Sequence, residues 1–140
     1  AKQAADLHTP GFNQRVAYEV IRGGFLQQHL PRVRARYRAQ RDAMHRALQR
    51  HLAATCRWVK PAGGMFFWLN LPEPLDATTL LPSAVEAGVA FVPGTAFFAQ
   101  GGHANTLRLS FVTVSPERID EGIQALSGVI HQALAQRAAA

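Results

Sequence analysis

Arg108 is the residue whose type and setting point most directly to chemistry in this 140-residue sequence. It lies in the segment Thr106–Phe111 (TLRLSF), where polar and apolar residues alternate. This alternation predicts a strand with Leu107, Leu109 and Phe111 on one face and Arg108 on the other. A guanidinium on a strand is always charged, and its two parallel N–H donors match the oxygens of a carboxylate. We therefore predict that Arg108 binds a carboxylate.

Further candidate residues lie in the run Met65–Leu71, which has no charge and three large aromatic side chains. Its composition predicts a strand. Phe66 and Phe67 are neighbours on that strand, so only one of them can face a cleft. Core packing is the simpler interpretation of either ring. The preceding Gly63–Gly64 favours a tight turn over an anion-binding nest.

Two helical segments are predicted in the first half of the chain. Residues 10–29 have a helical pattern that is interrupted at Gly23–Gly24. Thr9, just before this segment, is interpreted as a helix-start cap. Pro31 is expected to open a long second helix, because proline is tolerated in a first turn. The apolar stripe of this helix consists of Val33, Tyr37, Met44, Leu48 and Leu52.

The second half of the chain predicts short strands alternating with helices. The strands are expected at 56–59, 65–71, 89–92 and 106–111. Asp76 is the predicted N-cap of a helix that ends before Gly88, and Ser115 is the predicted N-cap of the last helix. That helix has an apolar stripe of Ile119, Ile123, Leu126, Ile130 and Leu134. This order predicts an α/β fold in which helices pack on one small sheet.

These segments, in this order, resemble the C-terminal part of a fold type I aminotransferase that uses pyridoxal 5'-phosphate (PLP). The resemblance is closest to the branch of 2-aminoadipate and kynurenine aminotransferases, and it covers nearly the whole chain. The segments that carry it are Asp6–Thr9, Phe12–Gln14, Gly24–Leu26, Arg41–Met44, Gly63–Leu69, Val89–Gly94, the Arg108 strand and Ser115–Glu117.

The resemblance implies specific roles for a few residues. Arg108 would hold the α-carboxylate of the substrate, and Phe66 would be the aromatic residue on the substrate side. Thr9 and Asn13 would lie near the cofactor at a subunit boundary, which implies a homodimer. In this chemistry the Cα–H bond must stand perpendicular to the cofactor ring, and a bidentate arginine fixes that rotation. The substrates would be an amino acid and a 2-oxo acid.

The sequence departs from the family in its lysines. The Schiff-base lysine of the family lies in a serine–lysine motif, whereas Lys2 and Lys60 have no such context. We therefore expect a fragment that is inactive alone, with no catalytic and no cofactor-binding residue of its own. Residues 1–30 are expected to bridge toward a missing large domain, and residues 31–140 to form the small C-terminal domain.

Two other functions stay open from the sequence. Some bacterial transcription regulators join a winged helix to an aminotransferase-like domain that senses ligands, and their C-terminal regions are similar. A nucleic-acid-binding module is suggested only by the net charge of +6 and a run of arginines. That run consists of Arg32, Arg34, Arg36, Arg38, Arg41, Arg46 and Arg50. A solvated helix face explains it better, because no recognisable nucleic-acid-binding motif accompanies the run.

Composition limits the remaining possibilities. No apolar run approaches the roughly 20 residues that span a bilayer. A single cysteine, Cys56, excludes an internal disulfide, favours the cytoplasm and is interpreted as a small buried apolar residue. The six histidines lack metal-ligand spacing, so no metal site is expected.

Overall fold

The computed structural model describes residues 2–5 and 7–139, without the side chains of Lys2 and Gln3. The helices are α1 (Lys2–Ala5), α2 (Gly11–Ile21), α3 (Phe25–Leu52), α4 (Ala77–Glu86) and α5 (Pro116–Ala138). The strands are β1 (Arg57–Trp58), β2 (Phe66–Asn70), β3 (Val92–Pro93) and β4 (Thr106–Ser110), and a 3₁₀ turn, Gly94–Phe97, follows β3. The chain divides into two compact units, unit 1 (Ala1–Arg36) and unit 2 (Tyr37–Ala140).

Unit 2 contains an antiparallel sheet of four strands in the order β1-β2-β4-β3. Strand β4 is therefore central, between β2 and β3. Its Arg108 lies opposite Trp68 of β2 and opposite Val92 of β3. Residues directly opposite each other point to the same face of a sheet, so these three side chains share one face.

The two faces of this sheet have different surroundings. Phe67 and Leu69 of β2 and Leu107 and Leu109 of β4 are buried in one core with apolar residues of α3, α4 and α5. The helical part of that core consists of Met44, Ala47, Leu48, Leu52, Ala77, Leu80, Ala84, Ile119, Ile123, Leu126 and Ile130. Arg108, on the opposite face, is only partly buried. The predicted α/β arrangement of a small sheet with packed helices is confirmed.

The predicted helix caps of unit 2 are present. Asp76 accepts hydrogen bonds from the backbone N–H groups of Thr78 at 2.7 Å and Thr79 at 3.4 Å. Ser115 accepts one from the backbone N–H of Arg118 at 3.5 Å. Gly88 follows α4 with φ +82°, a conformation that glycine adopts without strain. Capping chemistry is local, which is why the sequence predicted these ends correctly.

Two predicted element starts were wrong. Pro31 lies inside α3, which begins at Phe25 directly after Gly24. The helix loses one backbone donor at Pro31, but the residues before it are otherwise compatible with a helix. Strand β3 begins at Val92 rather than at residue 89, because the Val89 N–H donates to the Ala84 carbonyl at 2.8 Å in the turn that ends α4.

His45 of α3 makes a polar contact with the sheet. The Trp58 indole N–H donates to His45 Nδ1 at 3.2 Å, which requires that nitrogen to be unprotonated. Burial lowers the pKa of His45 below its usual range. The charges of Lys60 and Arg41 lower this pKa further, against the opposing effect of Asp42.

We expect the stability of unit 2 to fall in acid because of His45. In the unfolded chain a histidine titrates at about pH 6.5, above the folded pKa of His45. The stability that neutral His45 contributes is therefore complete above that pH, and it is lost as the pH falls through the folded pKa. Urea unfolding at about pH 8 and about pH 5.5, followed by tryptophan fluorescence, measures the loss. The His45→Gln variant keeps an acceptor for Trp58 but does not titrate, so its loss should be smaller. Equal losses in both proteins would contradict the assignment.

Unit 1 has little interior of its own. No residue of α2 is buried. The large exposed apolar side chains of unit 1 are Leu7, Phe12, Val16, Tyr18, Val20, Ile21, Phe25, Leu26 and Leu30. Ion pairs of Glu19 with Arg15 at 3.2 Å and with Arg22 at 2.6 Å lie along the helix surface. Among the described helices, none is both long enough and apolar enough to cross a membrane.

Candidate functional site

Arg108 projects from β4, an inner strand of the sheet, on the face opposite the core helices of unit 2. The burial of Leu107 and Leu109 on either side of it confirms the alternation predicted for this strand. A residue on a central strand has a backbone fixed by hydrogen bonds on both sides, to β2 and to β3. The strand therefore holds the Cα atom of Arg108 more firmly than a loop would.

The Arg108 guanidinium lies between two phenylalanine rings. Its Cζ atom is 4.0 Å from the ring centroid of Phe66 and 4.7 Å from that of Phe97. Both distances are within the range of cation–π attraction. A cation–π contact uses none of the guanidinium N–H donors, so all of them stay available for hydrogen bonds to a ligand.

No carboxylate of the chain neutralises Arg108 within residues 2–5 and 7–139. The ion pairs found there involve Arg15, Arg22, Arg41, Arg50, His51, Lys60 and Arg118. A partly buried cation without an internal partner is suited to an anion from outside the described chain, because pairing would restore the electrostatic stabilisation lost on partial burial.

The two neighbouring phenylalanines of β2 have opposite environments. Phe67 is fully buried and contacts the ring of Phe111 edge-on, with centroids 5.8 Å apart. Phe66 is 37% exposed and lies on the Arg108 face. The simpler interpretation, core packing, is thus correct for Phe67 and wrong for Phe66. The contact of Phe66 with a substrate stays a prediction.

Phe97 was not among the residues singled out from the sequence. It ends the 3₁₀ turn that follows β3, and its ring makes an edge-to-face contact with Trp68, with centroids 5.5 Å apart. The only sequence signal was indirect: Pro93-Gly94 marks a turn, and a pair of phenylalanines follows two residues after it. The contact with Arg108 depends on how that turn lies on β4, which the local sequence does not encode.

Gly94 sets the position of this turn. A Cβ atom at Gly94 would lie 1.8 Å from Thr106 Oγ1 and 2.9 Å from the Thr106 carbonyl oxygen. Thr106 is buried, and its hydroxyl donates to the His103 carbonyl at 2.7 Å. The turn therefore lies directly against β4, two residues before Arg108, and only glycine fits there.

Lys60 does not belong to this site. Its amine lies 2.9 Å from the Asp42 carboxylate, which also pairs with Arg41 at 2.8 Å. The hydrogen bonds from Lys60 and Arg41 hold the pKa of Asp42 below its ordinary value. Arg41 also donates to the carbonyl of Ala62, beside the Gly63–Gly64 turn. The side chain of Lys2 lies outside the described part of the chain.

Thr9 and Asn13 are both exposed in unit 1. The interpretation of Thr9 as a helix-start cap was wrong: α2 has Pro10 at its N-cap and no side-chain cap. Proline occupies the position at which a capping side chain would act, and the Thr9 carbonyl instead accepts from the Gln14 side chain at 2.7 Å.

The remaining candidates have structural surroundings. Cys56 is buried, and burial raises the pKa of its thiol to about 11, as expected for a packing residue. Arg50 pairs with Asp120 of α5 at 2.9 Å. In the part of the chain that the structure describes, no group of three or more His, Cys, Asp or Glu residues could hold a metal ion.

Comparison with known proteins places these features in context. The sequence model of one family, aminotransferase class I and II, matches residues 1–126. Aromatic-amino-acid aminotransferase 1 of Thermococcus litoralis is 45% identical over 132 residues, which are 94% of this chain and 32% of that protein. The chain thus spans about a third of the length of the curated relatives it matches.

Solved structures give the same match. The α-aminoadipate aminotransferase LysN of Thermus thermophilus, complexed with N-(5'-phosphopyridoxyl)-L-leucine, superposes with a TM-score of 0.87 at 47% identity, covering 96% of this chain and 34% of that one. The Pyrococcus horikoshii kynurenine aminotransferase gives 0.87 at 43%, covering 95% and 33%. An uncharacterised HTH-type transcriptional regulator, YdfD of Bacillus subtilis, is 31% identical over 97% of this chain and 28% of its own length.

Proposed function

The chain belongs to the aminotransferase class I and II family, and we propose that it is the C-terminal domain of a PLP-dependent enzyme that transfers an amino group between an amino acid and a 2-oxo acid. The observation that carries this proposal is Arg108, a cation on the sheet face opposite the core helices of unit 2, with no carboxylate partner among the described residues. In this proposal Arg108 binds the substrate α-carboxylate.

The contribution of Arg108 is orientation. Two parallel N–H···O hydrogen bonds fix both the position and the rotation of a carboxylate, whereas a single ammonium contact leaves it free to turn. The Cα substituents of the substrate are thereby held in one arrangement, and the entropy of alignment is lost on binding rather than during reaction. Phe66 covers one side of the guanidinium and lies where it could also contact the substrate.

The described residues suit the substrate carboxylate better than the cofactor. PLP, when bound, supplies an electron sink for the bonds at Cα. The lysine that binds it must be free to reach its aldehyde, whereas the Lys60 amine is paired with Asp42 at 2.9 Å. We infer that the reactive lysine and the phosphate contacts come from the part of the enzyme that this chain does not include.

The unit 1 surface supports the proposed domain arrangement. Residues 1–30 would bridge toward a large PLP-binding domain, and residues 31–140 would form the small domain. The exposed apolar residues Phe12, Val16 and Val20 of α2 are more than an isolated surface helix needs. We propose that the large domain or the second subunit of a homodimer covers them.

The alternative expectation, a sensor domain of a winged-helix regulator, is less well supported. The regulator YdfD is 31% identical to the chain, whereas the aromatic aminotransferase is 45% identical. The parent protein decides between the two: a winged helix on the same polypeptide would contradict a free-standing enzyme.

The isolated chain is expected not to bind PLP covalently. The Lys60 amine lies 2.9 Å from the Asp42 carboxylate, and this ion pair must be broken before the amine can attack an aldehyde. Titration of the 140-residue chain with PLP should give no saturable visible band, and borohydride should trap none on Lys60. The Asp42→Asn variant, which weakens the hold on the amine, is the matched control and should react faster. A stoichiometric adduct on Lys60 of the unmodified chain would show that the lysine has been misplaced.

A further inference from the structure

The contacts of Arg108 restrict the direction from which a ligand can reach it. Phe66 and Phe97 lie at 4.0 and 4.7 Å from its Cζ atom. At these distances both rings crowd the guanidinium carbon, so a ligand must reach the N–H donors from a direction that neither ring occupies. The rings also limit the rotation of a long side chain that would otherwise have many rotamers.

The Phe97 ring is held by a contact of its own. Trp68 meets it edge-on, with ring centroids 5.5 Å apart, and the same indole meets Phe98 at 6.0 Å. Trp68 is the residue directly opposite Arg108 on the neighbouring strand. Trp68 therefore contacts the Phe97 ring and also lies on the strand that pairs with the Arg108 strand. Edge-to-face aromatic pairs have a preferred geometry, so this contact restricts the position of the Phe97 ring.

The backbone of Phe97 is also fixed relative to Arg108. Phe97 ends the short turn that Gly94 begins, and Gly94 is buried against Thr106 with no space for a side chain. Thr106 is two residues before Arg108 on the same strand. The turn cannot lift from the strand without opening a buried contact.

We propose that Phe97 is a positioning residue for the substrate carboxylate. Together with Phe66 it forms an aromatic clamp that holds the Arg108 guanidinium in one plane, so that a carboxylate binds along its edge through two hydrogen bonds. The inference rests on the proposed function of Arg108, because it concerns how that residue presents its donors. Phe97 itself donates nothing to the substrate, and its effect acts through Arg108.

The test uses the full-length holoenzyme and acetate as the probe, because acetate carries a carboxylate but no amino-acid side chain. The inhibition constant of acetate is measured against the amino-acid substrate, with acetamide as the neutral analogue. Binding is also measured without turnover, from the Tm of the enzyme. The Tm in sodium acetate is compared with the Tm in sodium chloride of the same ionic strength, and bound acetate raises it.

Phe97→Leu should weaken acetate binding about three- to ten-fold, the size expected for loss of one cation–π contact, and should leave acetamide inhibition unchanged. Phe97→Tyr keeps a ring over the guanidinium and should bind acetate like the wild type. The matched control is Phe98→Leu, which loses a contact with Trp68 but none with Arg108, and it should bind both probes normally.

Each other outcome has a defined meaning. The clamp is wrong if Phe97→Leu binds acetate within about two-fold of the wild type, or if it weakens acetamide binding as much as acetate binding. Phe97 would then only contribute apolar surface to the site. If acetate fails to bind the wild type, or binds Arg108→Lys unchanged, the proposed role of Arg108 fails first. Weak acetate binding by Phe97→Tyr would also overturn the proposal, because that variant retains the ring.

Discussion

Replacement of Arg108 by lysine in the full-length enzyme is expected to lower kcat/KM about 10- to 150-fold, the cost of one charge-assisted hydrogen bond of about 1.5–3 kcal/mol. Lysine keeps the charge but loses the planar pair of donors, so the carboxylate can turn and the Cα–H bond leaves its aligned position. The contacts of Phe66 and Phe97 with the guanidinium are lost as well. All amino-acid substrates share the α-carboxylate, so the loss should be similar for each of them.

The controls separate chemistry from folding. Arg50 makes two 2.9 Å hydrogen bonds to the carboxylate of Asp120 on the surface, away from the candidate site. Arg50→Lys makes the same exchange of a guanidinium for an ammonium outside the candidate site, and it should leave kcat/KM unchanged. A primary amine without a carboxylate should react equally with the wild type and with Arg108→Lys. If Arg108→Lys lowered Tm sharply and left kcat/KM intact, Arg108 would be a structural residue. Its proposed role in binding the substrate carboxylate would then be wrong.

Replacement of Gly94 by alanine is expected to destabilise unit 2 by about 1–3 kcal/mol, the usual cost of overpacking. The new Cβ would lie 1.8 Å from Thr106 Oγ1, and the hydroxyl cannot turn away without losing its 2.7 Å hydrogen bond to His103. The turn must therefore move away from β4 and carry Phe97 with it. In the full-length enzyme, acetate binding should weaken as it does for Phe97→Leu.

Gly63→Ala is the matched control for this prediction. A Cβ atom at Gly63 would have no neighbour within 4 Å, and its backbone does not require glycine. Urea unfolding of both variants and the wild type gives the difference in the free energy of unfolding. Gly63→Ala should change it by less than about 0.5 kcal/mol. If Gly94→Ala unfolds at the same urea concentration as Gly63→Ala, the contact with Thr106 is not tight in solution.

The sequence alone determined the features that depend on neighbours along the chain. The alternation of Thr106–Phe111 placed Arg108 opposite the buried leucines, because the side-chain period of a strand is two. Asp76 and Ser115 were identified as caps because a cap bonds to N–H groups two or three residues away. Family membership followed from the order of the segments, and the match over residues 1–126 confirms it. The proposed domain boundary between residues 30 and 31 remains a prediction.

Only the tertiary structure decided which aromatic rings surround Arg108. Phe66 and Phe67 are adjacent in sequence, and the register that pairs Trp68 with Arg108 puts Phe66 on the open face. A shift of one residue would have exchanged them. Phe97 reaches the guanidinium because the turn that begins at Gly94 lies against Thr106. These contacts join three segments far apart in the chain, and they depend on strand register and close packing, which a local pattern of residue types does not encode.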